Sequence, residues 1–289
     1  MPVDALRLVR KMRGGAQAHL LEASDGNHYV VKFLNNPQHR RILVNEWVAS
    51  AFLRYLGLSA PEPALIEVTS SFTENNPDAH IQLGSQRHPP ILGWHFGSRF
   101  PGHPARTVVY DFLPDVLLPK VENYAEFAAL LAFDQWMGNA DSRQAIFFRS
   151  RIREWLPTFE VHPQKLGFVA QMVDHGFVFD GPNWRFGDSP LQGLYFRPIV
   201  YQNVRGWDDF QPWLDRIVNF PEHIVDRAIH QIPQAWLEED AGELNVLLEN
   251  LLRRCKRVPD LIEACHRNRA NSFPHWNPAT RYFKAGQGI

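Results

Sequence analysis

A chain of 289 residues with 45% hydrophobic and 21% charged residues carries enough apolar material for one large or two medium domains around a sizeable core. Its net charge of −1 and pI of about 6.9 exclude a global basic field that would draw it to nucleic acid or acidic lipid. Two cysteines, Cys255 and Cys265, are too few for a disulfide framework and fit a reduced, cytoplasmic setting. No apolar run approaches the roughly 18–20 residues that span a bilayer, and Met1-Pro2-Val3-Asp4 lacks a leader pattern. The histidines show no metal-ligand spacing, so neither a zinc site, a membrane nor a direct nucleic-acid partner is expected.

Residues 5–33 read as three short strands. Lys11 to Gln17 is a small-residue turn containing Gly14 and Gly15, and Asp25-Gly26 between apolar runs signals a hairpin. Tyr29-Val30-Val31-Lys32-Phe33 is apolar and β-branched except for Lys32, which either snorkels to solvent or points into a cleft. A helix over 42–56 follows, with Leu43, Trp47, Ala51 and Tyr55 on one apolar face, Glu46 in its middle and Gly57 as its C-terminal cap. Leu65 to Val68 reads as a strand, residues 73–79 as an exposed loop, and residues 91–100, with Gly93 and Gly97, as a connector between two lobes.

A helix is predicted from Tyr124, capped by Asn123, and ends at Gly138-Asn139-Ala140-Asp141 before an apolar run at 146–148. A charged, proline-containing insertion over 149–165 precedes a strand at 166–173, which stops at Asp174. Residues 177–203 look irregular, and 210–220, 221–237 and 241–265 are helical by periodicity. The basic run Arg253, Arg254, Lys256, Arg257 reads as a solvated helix face, and the tail from Asn271 as loosely held.

Most of the chemistry-bearing residues fall at the ends of these elements, Glu46 within one. A strand lysine followed closely by a helix glutamate, Lys32 and Glu46, can form an ion pair that aims the ammonium at ATP phosphates. The backbone amides of the Gly14-Gly15 turn can approach phosphates closely, because glycine adds no side chain. Asp141 and Asp174 each end an apolar segment, where a carboxylate either caps a turn or serves phosphoryl transfer. As a ligand, Asp174 suits Mg²⁺, which prefers hard oxygen donors and takes few protein carboxylates.

The ordered motifs Val30-Val31-Lys32-Phe33, Asn45-Glu46, Gly138-Asn139-Ala140-Asp141-Ser142-Arg143 and Val173-Asp174-His175-Gly176 resemble the HipA-like kinases, in the branch shared with the phosphoinositide kinases. The resemblance implies an α+β, two-lobed protein-kinase-like fold: a strand-rich N-lobe with one helix over 1–95 and a mainly helical C-lobe over 96–289. It implies ATP and Mg²⁺ as cofactors, with Gly14, Gly15, Lys32 and Glu46 on the nucleotide. Asp141 looks like the catalytic aspartate and Asp174 like the metal-binding one. The implied acceptor is a serine or threonine on a protein partner. No motif accounts for Trp184 to Gly187 or the many aromatics after Phe177, for which a packed activation-segment equivalent is the plain expectation.

Two departures stand out. The metal-binding asparagine usual in this branch, five residues past the catalytic aspartate, is Ile146 here, leaving Gln144 as the nearest amide. The usual histidine of the turn is Arg143. Three functions therefore stay open: an active protein kinase, a nucleotide-binding pseudokinase or interaction module, and a small-molecule phosphotransferase.

Overall fold

The Asp25-Gly26 turn folds the first strands onto each other: Gly26 takes φ +78° and donates its N–H to the Ala23 carbonyl at 3.0 Å. β1 (Val3–Lys11), β2 (His19–Ala23) and β3 (His28–Lys32) are successive antiparallel neighbours. This is a computed structural model that describes residues 3–156, 160–277 and 282. After β3 comes α1 (Arg41–Leu56), closed by Gly57 at φ +74°, whose N–H reaches the Leu53 and Arg54 carbonyls. Next come β4 (Pro63–Val68), α2 (Ser70–Asn75), a hairpin of β5 (Ile81–Leu83) and β6 (Gln86–His88), and β7 (Gly93–Arg99). β7 inserts between β3 and β4, and β1 pairs in parallel with β4, so the order β1-β2-β3-β7-β4 closes into a barrel.

The remainder begins with β8 (Val109–Tyr110), α3 (Glu126–Met137), β9 (Gln144–Arg151), α4 (Ile152–Trp155) and β10 (Leu166–Val173). β10, β9 and β8 form one antiparallel sheet. The helices α5 (Trp213–Val218), α6 (Glu222–His230), α7 (Gln234–Leu237), α8 (Ala241–Arg254) and α9 (Val258–Asn268) follow. The chain is thus α+β, strand-rich in its N-terminal part and helical in its C-terminal part. Among the described residues no helix is long and apolar enough to cross a membrane.

Several expectations are corrected. Residues 91–100 are not a connector: β7 is hydrogen-bonded on both sides and crosses residue 95, where the division between lobes was expected. Its Gly97 is small because a Cβ there would lie 2.5 Å from Ile66. Residues 73–79 are only in part an exposed loop: 73–75 end α2, a second helix in the strand-rich part capped by Thr69, and Asn76 and Ala79 are buried while Pro77 and Asp78 form an exposed turn. Asn123 does not cap α3. Its amide pairs with the Ala170 backbone of β10 at 2.9 and 3.0 Å. Arg254 is buried, donating to the Gln135 carbonyl and to Asp188, so the basic run is only partly solvated. The start of the tail is packed: Phe273 and Trp276 are buried against Tyr201, His266 and Phe210. Residues 278–281 and 283–289 of that tail lie outside the described residues.

α1 is buried nearly all round, with Tyr55 at its exposed edge, so its apolar surface is wider than one stripe. Phe52 of α1 stacks on Trp136 of α3 at 5.5 Å, and both rings contact Phe220 at 4.7 and 4.6 Å. α1 therefore belongs to the large core of the C-terminal helices, whereas the barrel has a separate core of residues such as Leu21, Val31, Phe33 and Ile66. The loop after α1 is fixed as well. Ser59 donates its N–H to Glu126 of α3 at 2.8 Å and accepts from the Met172 N–H of β10 at 2.9 Å.

Burial pushes the Glu126 carboxyl up to about 7. Folded Glu126 keeps its proton to near that pH, while the unfolded chain releases it near the ordinary value of 4.5. The native state binds the extra proton between the two, so stability falls as pH rises through this window. Glu126→Gln should flatten that decline in denaturant titrations at pH 5 and 8, a difference of up to about 3 kcal/mol.

Candidate active site

Lys32 ends β3 with its ammonium turned inward, and the residue is 8% exposed. It donates to Glu46 of α1 and, at 2.7 Å, to Oδ1 of Asp174. Asp174 follows the last residue of β10 at φ +60°, a left-handed conformation that Asp tolerates better than most residues. That turn stops the strand and carries the carboxylate out of the sheet. Next to it, Gly176 has no room for a side chain: a Cβ would lie 2.6 Å from Ile42 of α1. The three residues singled out from the sequence, far apart in the chain, meet at one ammonium.

Burial alone would depress Lys32, yet the charges of Glu46 and Asp174 hold its ammonium above the ordinary range. The two carboxylates differ. Burial and then the Asp174 charge push Glu46 up against the pull of Lys32. For Asp174 the opposing effect of burial is overcome by Lys32, Arg143 and Gln144, which hold it below the usual carboxylate range. Asp174 is half-exposed and anionic, the form in which a carboxylate binds a cation.

Gly138 caps α3 at φ +62°, and the turn 139–143 then leads into β9. Asp141 is exposed; its Oδ1 accepts the Ser142 N–H at 2.7 Å, and its Oδ2 lies 3.4 Å from the Gln144 amide nitrogen. Gln144 also pairs with Val173 across the β9–β10 ladder, one residue from Asp174. Its amide thus lies beside Asp141 and level with the end of β10. Ile146 lies two residues along the same face, opposite Gln171.

Arg143, read from the sequence only as a departure, is 1% exposed and forms a bidentate pair with fully buried Asp134 of α3. It also donates to the Val173 carbonyl at 3.2 Å and to Nδ1 of His175 at 2.8 Å. The other ring nitrogen of His175 meets the Met172 carbonyl at 3.1 Å. Burial, then Arg143 and Lys32, hold His175 well below its ordinary range, so the ring is neutral and can accept from Arg143. Asn139 completes the network, donating to Asp134 at 3.0 Å and accepting the Asp141 N–H at 3.2 Å. This scaffold ties the Asp141 turn to the residues flanking Asp174. Its signal in the sequence was Asp134 itself, a carboxylate inside an apolar helix, which needs a buried cation.

Gly14 and Gly15 form the β1–β2 turn, where Gly14 takes φ +124° and accepts the Gln17 N–H at 3.1 Å. A Cβ on Gly15 would lie 2.7 Å from the Gln38 amide nitrogen, so this turn leans on the segment between β3 and α1. Among the described residues no three His, Cys, Asp or Glu side chains converge as a metal cluster. Asp174 and Gln144 offer hard oxygen donors of the kind Mg²⁺ takes when phosphates and water complete its shell.

A family model described as HipA-like kinase matches residues 6–150, about half the chain. The chain belongs to the HipA-like kinase family. The match spans Lys32, Glu46, the Asp141 turn and Gln144, and ends before Asp174. No curated protein matches. Similar solved structures include a crystal structure of the Golgi casein kinase at 12% identity and TM-score 0.49, covering 92% of this chain and 72% of that one. Another is the Golgi casein kinase with Mn/ADP bound, at 12% identity and TM-score 0.49, covering 96% and 77%.

Breaking the buried pair in this HipA-like kinase should be costly. Arg143→Met leaves Asp134 charged and unpaired and should lower unfolding stability by roughly 3–5 kcal/mol. The double variant Asp134→Leu/Arg143→Met should lose less than the sum of the two single changes, as read by denaturant midpoints.

Proposed function

We propose that this HipA-like kinase transfers a phosphoryl group from ATP to a serine or threonine hydroxyl on a protein, within a two-lobed protein-kinase-like fold whose small lobe extends through β7. The observation that carries this reading is the buried Lys32 ammonium held between Glu46 and Asp174, with Gln144, the strand partner of Val173, beside Asp141. Lys32, held charged and aimed by Glu46, contacts the phosphates of ATP. The backbone amides of Gly14 and Gly15 cover them. Asp174 and Gln144 hold Mg²⁺, which when bound neutralises charge on the transferring phosphates. Asp141, exposed to an incoming acceptor, orients the hydroxyl and accepts its proton.

Ile146 favours a second reading, a pseudokinase that binds nucleotide without transfer, because its aliphatic side chain cannot ligate a metal. Mass spectrometry of candidate acceptors separates the two readings. The pseudokinase yields no mass gain under conditions where ATP is bound.

At about 100 times its dissociation constant, Mg²⁺-ATP should stabilise the native state by roughly 2.7 kcal/mol. For a chain of this size that raises Tm on the order of 2–4 °C per kcal/mol. The shift should vanish in Lys32→Ala and Asp174→Ala. Asp141→Asn should keep it while losing phosphate transfer by at least about 10²-fold. Undiminished transfer in that variant removes Asp141 from the mechanism, and no shift in the folded wild type removes the nucleotide site.

A further inference from the structure

Asn45, the residue before Glu46, is fully buried. Its amide nitrogen donates to three carbonyls of the segment after Asp174: Gly176 at 2.7 Å, Val178 at 3.1 Å and Gly181 at 2.9 Å. Its Oδ1 accepts the indole N–H of Trp184 at 2.8 Å. The two N–H groups of one side chain are thus shared among three carbonyls, and its oxygen takes one further N–H, all from one segment. That segment would not hold its shape unaided. Phe179, Asp180 and Trp184 take φ of +61°, +59° and +50°, conformations disfavoured for non-glycine residues, and persist where surroundings over-determine them.

Arg41, one turn before Asn45, secures the far end. Its guanidinium covers the Trp184 ring at 4.3 Å, donates to the Pro182 carbonyl at 3.1 Å, and forms a bidentate pair with Asp240 at 2.8 and 2.7 Å. α1 is therefore bound on one side to residues 176–184 and on another to the start of α8. Its apolar surface belongs to the large core, which Phe96 of β7 and Leu65 of β4 also join.

We infer that Asn45, with Trp184 and Arg41, is a positioning residue that fixes the Glu46-bearing helix against the segment after Asp174, so that Lys32, Glu46 and Asp174 are assembled before nucleotide arrives. The site needs no separate activating event to bring Glu46 to Lys32. The inference rests on the nucleotide-site reading of those three residues, but its test requires no nucleotide.

The test is limited acetylation of the full-length protein with acetic anhydride, read residue by residue by mass spectrometry, with exposed Lys120 as internal reference. In the wild type, Lys32 should react at least about 100-fold more slowly than Lys120, as expected for a buried, ion-paired amine that reacts only through local opening. Trp184→Phe removes one buried donor and should raise the Lys32 rate about 10-fold with Lys120 unchanged. Asn45→Asp should raise it further, and if that variant does not fold, Trp184→Phe decides alone. Phe273→Leu, remote from this segment and matched for lost stability by adjusting temperature, should leave the Lys32 rate unchanged. A wild-type Lys32 as reactive as Lys120, or a Trp184→Phe rate no higher than in the matched control, overturns the inference. A slow Lys32 in a protein that gives no Mg²⁺-ATP thermal shift leaves the latch standing and removes the nucleotide reading instead.

Discussion

A buried ammonium is the constraint on which the rest depends. Lys32 loses its water on entering the core, and this cost is offset only if anionic oxygens are already in place. Those oxygens come from the middle of α1 and from the end of β10, 14 and 142 residues further along the chain. The barrel must therefore present its third strand to a helix and a sheet that it does not itself contain. Ser59, held between Glu126 and Met172, and Gly176, bare against Ile42, are where that close approach is made possible.

A second buried ion pair serves a different end. Asp134 and Arg143 lie in the helix before the Asp141 turn and in the turn itself, and Arg143 reaches on to Val173 and His175. The lysine cluster joins the two parts of the chain. The arginine cluster fixes the two aspartates relative to each other inside one part. They meet at the residues around Asp174, where Arg143 adds to Lys32 in keeping that carboxylate ionised. A carboxylate held anionic by cations behind it, and left open in front, is suited to gaining a further cation.

The sequence made visible what local rules govern. Alternation and turn residues marked β1 to β3 and β10, and Gly57 and Gly138 marked helix ends by their need for positive φ. Lys32 was conspicuous as the one charge in an apolar strand. What stayed hidden depends on contacts distant in the chain. Gly93 and Gly97 gave β7 the look of a connector, yet Gly97 is small to admit Ile66 and Tyr29 from neighbouring strands. Arg254 looked solvated among other basic residues because nothing nearby announces the Gln135 carbonyl it meets. Trp184 was unexplained for the same reason, since its partner Asn45 lies 139 residues earlier.

The substitution at 146 carries less weight once strand register is considered. In the β9–β10 ladder Gln144 stands opposite Val173, the neighbour of Asp174, while Ile146 stands opposite Gln171. Two residues along a strand is about 6–7 Å, so a donor at 146 would leave the same face that far from Gln144, beside Gln171 rather than at the end of β10. A turn that enters β9 at Gln144 brings residue 144 level with the end of β10. Its amide nitrogen there lies 3.4 Å from Asp141, and its strand partner is the neighbour of Asp174. An amide oxygen is as hard a donor at 144 as at 146. What the chain has changed is the position from which the second donor is offered, and under the proposed function Gln144, rather than the side chain at 146, decides whether the cleft holds its cation well enough for transfer.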